Sequence, residues 1–273
     1  MNRLFACGWV AAIWPLLAAA AAIDEARTAF GNQEYDKALP AFRELAAGGD
    51  HAAEFYLGLM HQKGLGVGAD PTAAIDWYRK AAAGGDGKAM HNLAAAYERG
   101  EGLAQDYQQA MSWYQKAAAA GMVMAMQSIG YLYYKGLGVP MDLKQTLEWW
   151  TRAAGQGDPQ AKHNLGTLYF TGRGVDLDEI RGLKLWKEAA NLGYAESEYA
   201  LAGLYFSGRH VDRDLEQAYI WYRLASVFGK PSADLKVVEL AQVLDPEKLE
   251  AAEKEAQARF EVIKKAVLAA SVP

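Results

Sequence analysis

Apolar residues in this chain recur at helical spacing, and the whole pattern then repeats. In segments such as Ala89-Met90-His91-Asn92-Leu93 through Tyr97, apolar positions fall four apart and mark one face of a helix. Each such stretch ends at a glycine: Gly64, Gly100, Gly136, Gly172 and Gly208 are 36 residues apart, with no insertion or deletion. A short loop follows, as in Gly64-Leu65-Gly66-Val67 and Gly136-Leu137-Gly138-Val139. Asp70, Asp106, Asp142, Asp178 and Asp214 then stand where a helix N-cap belongs. Gln109, Gln145 and Gln217, three residues later, predict a reciprocal capping box, and Pro71 suits a first helical position. The second helix carries Trp77, Trp113, Trp149 and Trp221 in one column, with Leu185 as the exception. Its alanines, the Ala81 to Ala225 column, let neighbouring helices approach, and it closes at the column running from Gly85 to Gly229. The tryptophan column, Trp149 included, is expected to form the core between repeats.

The motif Leu-Gly-x-x-Tyr-x-x-Gly-x-Gly-Val, then Asp, then Ala-x-x-Trp-Tyr-x-Lys-Ala-Ala-x-x-Gly reads almost whole from Ile129 to Gly157. It resembles the Sel1-like repeat family, relatives of the tetratricopeptide repeats. The resemblance implies an all-α fold: a right-handed α/α superhelical solenoid of about five 36-residue helix pairs with terminal caps. The expected organisation is a signal peptide over 1–22, a degenerate repeat or cap over 23–52, Sel1-like repeats over 53–229, and capping helices over 230–273. Ala38, Phe42, Ala46, Gly49 and Ala53 continue the register backwards, and Pro246 opens a stretch rich in Ala, Glu and Lys that suits a capping helix. Leu185, Gly182 and His210 depart from the repeat pattern and put the packing and loop shape near them in question.

The leader sets an expected compartment. Arg3, an apolar run from Leu4 to Leu17 and the small residues Ala18 to Ala22 have the layout of a cleaved secretory signal, which predicts a periplasmic or secreted protein. The alternative is an uncleaved anchor; Cys7 lies too early for a lipoprotein signal. With 52% hydrophobic and 22% charged residues the chain is globular, not disordered. Its net charge of -5 gives no electrostatic reason to bind nucleic acid. Cys7 is the sole cysteine, so neither an intramolecular disulfide nor a Cys-based zinc site is expected.

Searching for chemistry yields little. There is no Gly-x-Ser-x-Gly, Walker loop, dinucleotide fingerprint or His-Glu-x-x-His motif. His91 and His163 hold one position two repeats apart, roughly 20 Å at 8–10 Å per packed helix, too far to share a zinc ion. No catalytic residue, metal or cofactor is expected, and the protein is read as non-enzymatic. In tetratricopeptide-type solenoids the first helix of each pair lines the concave face. On that geometry the binding candidates are His91, Tyr131, Tyr134, His163, Phe170, Tyr199 and Phe206, aromatics with polar neighbours suited to peptide or sugar recognition. For Phe170 and Phe206 the alternative is packing between repeats. Exported members of the Sel1-like family act as regulators bound to the periplasmic part of a sensor kinase, or as exopolysaccharide assembly factors. The resemblance thus implies a scaffold for a protein partner, such as the periplasmic domain of a membrane receptor, with no membrane insertion after cleavage. The alternative function is a binder or hydrolase of cell-wall glycan or peptide.

Overall fold

The computed structural model describes residues 20–270, all helical apart from turns and loops. Most of the leader therefore lies outside the described residues. The chain forms two compact units that divide between Met141 and Asp142.

The first unit contains α1 (20–31), α2 (Tyr35–Ala47), α3 (His51–Lys63), α4 (Pro71–Ala83), α5 (Gly87–Arg99), α6 (Tyr107–Ala119) and α7 (Val123–Lys135). The second contains α8 (Leu143–Gly155), α9 (Pro159–Thr171), α10 (Glu179–Ala190), α11 (Ala195–Ser207), α12 (Leu215–Val227), α13 (Ser232–Val243) and α14 (Pro246–Ala270). Within the repeats, odd-numbered helices from α3 to α11 are the first of each pair and even-numbered ones the second. The fold is an all-α solenoid.

The aspartate column caps the second helices. Asp70, Asp106, Asp142, Asp178 and Asp214 each accept the backbone N–H three residues on, at 2.9 to 3.0 Å. The expected reciprocal box does not close. The backbone N–H groups of Asp70, Asp106, Asp178 and Asp214 already donate to the carbonyls of His61, Tyr97, Tyr169 and Tyr205. With the Asp214 donor satisfied, Gln217 instead accepts from Arg259, and Gln145 donates to Glu148. A second capping column, Asp50, Asp86 and Asp158, starts α3, α5 and α9, with Met122 and Tyr194 in its place at α7 and α11.

The tryptophan column is not the core column, a correction to the sequence reading. Trp77, Trp113 and Trp149 are half-buried, and each carries a cation from the next turn over its ring: Lys80 at 4.0 Å, Lys116 at 3.8 Å and Arg152 at 4.3 Å. The residue after each tryptophan position is the buried one: Tyr78, Tyr114, Trp150, Trp186 and Tyr222. One step of about 100° round a helix separates the two columns, enough to move a side chain from the interface to its edge. Trp221 is buried as well because α14 covers it, with Arg259 5.0 Å from its ring centre.

The departures in the later repeats compensate one another. A Cβ on Gly166 would lie 2.6 Å from Trp186 Cδ1, and one on Gly182 would lie 2.8 Å from the Gly166 carbonyl oxygen. The two glycines thus let α9 and α10 close around the large indole. The second loop glycine likewise has φ near +70° at Gly66, Gly102, Gly138 and Gly174, where a Cβ would press 2.5 to 2.7 Å from the first residue of an earlier second helix. His210 occupies that position with φ 65° and meets Glu179, the corresponding first residue of α10, through a 2.8 Å hydrogen bond.

At the C-terminal end, α14 packs on α12. Tyr219 donates to Glu253 at 2.8 Å, Arg223 pairs with Glu253, and Ala252, Ala256 and Ile263 are buried. This helix, Pro246–Ala270, runs 25 residues.

Candidate binding face of the first helices

The candidate residues lie on the first helices, and the structure sorts them by what they touch. In the first unit, Tyr131 on α7 is 37% exposed. Lys135 Nζ lies 5.9 Å from its ring centre and 5.5 Å from that of Tyr134, so the two tyrosines and one cation form a patch on the last turns of α7. His91 on α5 is set into the wall instead. Its ring sits 5.3 Å from Tyr114, and its buried Nδ1 has no partner. Burial, and then the charge of Arg99, pull its pKa below the usual value.

In the second unit, His163 and Phe170 are brought together by one residue, Trp186. Its indole N–H donates to the His163 carbonyl at 3.1 Å, and its ring lies 4.7 Å from Phe170. His163 Nδ1 is 2.9 Å from Ser197 Oγ, and burial drives its pKa to about 4. Tyr199 places its ring edge-on to Tyr222 at 5.1 Å, and Phe206 lies under Lys236 Nζ at 5.0 Å. Phe170, Tyr199 and Phe206 all pack against the buried core of this unit. The two phenylalanines therefore serve repeat packing, whatever else they contact.

Several residues on or behind this face are invisible to motif reading. Tyr114 donates to Glu98 at 2.6 Å, and Tyr78 donates to Gln62 at 2.8 Å. Arg99 holds Glu101 through two hydrogen bonds, at 2.6 and 3.0 Å. These bonds tie the buried tyrosine column to polar side chains on α3 and α5 and fix those side chains in place. The periodicity could have found them, since Tyr78 and Tyr114 both lie sixteen residues after their partners. The Ser197–His163 pair looks like a nucleophile and its base, but Ser197 is fully buried and no substrate can reach it. Beside it Glu198 is also fully buried, and neither carboxyl oxygen has a partner. Burial, and then the charge of Glu196, push its pKa up to about 8.

Among the described residues no three His, Cys, Asp or Glu side chains gather in a metal-holding group, and no helix is long and apolar enough to cross a membrane. The comparisons with known proteins agree with the repeat geometry. The Sel1 repeat matches five successive stretches, residues 51–86, 87–122, 123–158, 159–194 and 195–226, together more than half of the chain. The chain belongs to the Sel1 repeat family. A Sel1 repeat protein from Oxalobacter formigenes is 29% identical over 86% of this chain and 99% of its own, with a TM-score of 0.75. A protective antigen of uropathogenic Escherichia coli strains, described as displaying an SLR fold, is 25% identical over 85% of this chain and 65% of its own, with a TM-score of 0.39. Pseudomonas aeruginosa PilF is 14% identical over 87% of this chain and 97% of its own, with a TM-score of 0.50, and shares the fold. No curated protein matches the chain. Sel1 repeats typically mediate protein–protein interaction, which suggests a protein-binding role for this solenoid.

Proposed function

We propose that this Sel1 repeat protein is an exported, non-enzymatic scaffold that holds a protein partner on the face of its first helices. The partner we favour is the periplasmic domain of a membrane receptor, in envelope signalling or exopolysaccharide production. The observation that carries this reading is the α7 patch, where Tyr131 stands exposed beside Tyr134 and Lys135. Tyrosine offers a large, stiff contact surface with a polar tip at low entropic cost, which is what protein interfaces select. Export rests on the leader-like composition of residues 1–22.

Two measurements test the proposal. N-terminal sequencing of the mature protein is expected to begin between Ala21 and Asp24, and an intact Met1 on membrane-bound protein would overturn export. Affinity capture from envelope extract is expected to recover a stoichiometric membrane protein with the wild type and to lose it with Tyr131→Ala. Retention on purified peptidoglycan, with no protein captured, would favour cell-wall binding instead.

A further inference from the structure

The first two helices carry a second feature, away from the candidate face. Between α1 and α2 lies an open cleft of about 730 Å³. Its floor is small and apolar, with Ala29, Ala41 and Leu45, and its rim carries the carboxylates of Glu25, Glu44 and Asp50. Among the described lining residues Lys37 is the one basic side chain, and Glu34 already holds it at 2.6 Å. The other side of the same hairpin is closed, since Ile23, Phe42 and Ala46 are buried in a core shared with α3.

We propose that this cleft docks a cationic amphipathic helix of another protein. Its apolar face would lie on Ala29, Ala41 and Leu45, and its lysines or arginines would face Glu25, Glu44 and Asp50. Three features of the cleft choose that occupant. It follows α2, whose 13 residues span about 20 Å, the length of three to four helical turns. Its walls are helices, which present no open edge for a strand to join, whereas a helix needs only side-chain contact. Its uncompensated charge is negative, which attracts a basic segment and repels an acidic one.

The test uses the full chain and a fluorescein-labelled synthetic amphipathic peptide with leucine and alanine on one face and lysine on the other. Fluorescence anisotropy is expected to show saturable one-to-one binding that weakens as salt rises. The Glu25→Lys/Glu44→Lys double variant is expected to bind about tenfold more weakly or worse. Ala41→Trp keeps the charge but fills the floor, and is expected to lose as much. Tyr131→Ala, on the other face, is expected to bind the peptide as wild type does, which separates this site from the proposed partner face. Wild-type affinity for Ala41→Trp would reduce the attraction to diffuse charge and overturn the proposal. Sedimentation velocity adds a further outcome: self-association of the wild type, abolished by the double lysine variant, would make a second copy the occupant and likewise overturn it.

Discussion

Replacing Glu198 by methionine is expected to stabilise the second unit, and the size of the gain follows from the site. The carboxyl is fully buried, unpartnered, and held near pKa 8 against 4.5 for the free side chain. At pH 7 the folded chain keeps this proton and the unfolded chain has released it. Holding it through about 2.5 pH units costs about 3 kcal/mol at 1.36 kcal/mol per unit. Because the folded pKa is raised, the penalty is absent below pH 4.5, grows as pH rises to about 8, and is constant above that. Methionine already occupies the same repeat position at Met90 and Met126, so its shape suits the site. His163 works in the opposite sense. Its folded pKa of about 4 lies below the usual 6.5, so its contribution is full above pH 6.5 and fades as pH falls toward 4. The Glu198 effect is therefore clearest between pH 6.5 and 8. Urea unfolding followed by tryptophan fluorescence at pH 5, 6.5 and 8, for wild type and Glu198→Met, measures it. The stability difference should widen with pH and reach about 3 kcal/mol near neutrality. Equal stability at pH 6.5 and 8, or a difference that does not change with pH, would refute the reasoning.

Three further outcomes are expected from urea or thermal unfolding. Asp142→Ala removes an N-cap bond and is expected to cost about 1 kcal/mol; unchanged stability would contradict the capping role. Trp150→Ala is expected to cost about 3–5 kcal/mol and the half-buried Trp149→Ala clearly less, and the reverse order would restore the tryptophan column as core. Ala125→Ser places a hydroxyl where Ser197 meets His163 in a later repeat, and by giving His91 Nδ1 a partner should add about 1 kcal/mol; a loss of stability would show that the two sites are not equivalent.

What the sequence discloses depends on how local the physics is. The aspartate caps were legible because capping joins residues three apart in the chain. The capping box was not, because its donor is taken by the His61 and Tyr97 column of carbonyls across the loop, a bond between residues nine apart. The Trp149 column was misread as core because two adjacent aromatic positions are both helical and both apolar, and only the packed neighbour separates Trp149 from Trp150. The seven candidate site residues were placed on the first helices by register alone. His163 and Phe170 are wall-packed because Trp186 reaches them from the next helix, whereas Tyr131 stands exposed. Glu198 gave no signal, since its repeat mates include another glutamate, Glu54, which is paired with His51 at 2.8 Å. Its isolation comes from Ala195 standing where that histidine would be.

The central claim, that a protein partner is held on the first-helix face, is tested most directly by calorimetric titration of the captured envelope partner with wild type, Tyr131→Ala and the second-helix control Gln115→Ala. Tyr131 is exposed, so the fold should tolerate its loss, and melting curves run alongside check that. The account predicts a loss of about 2 kcal/mol, roughly thirtyfold in affinity, for Tyr131→Ala and no change for Gln115→Ala. Wild-type affinity for Tyr131→Ala would contradict it.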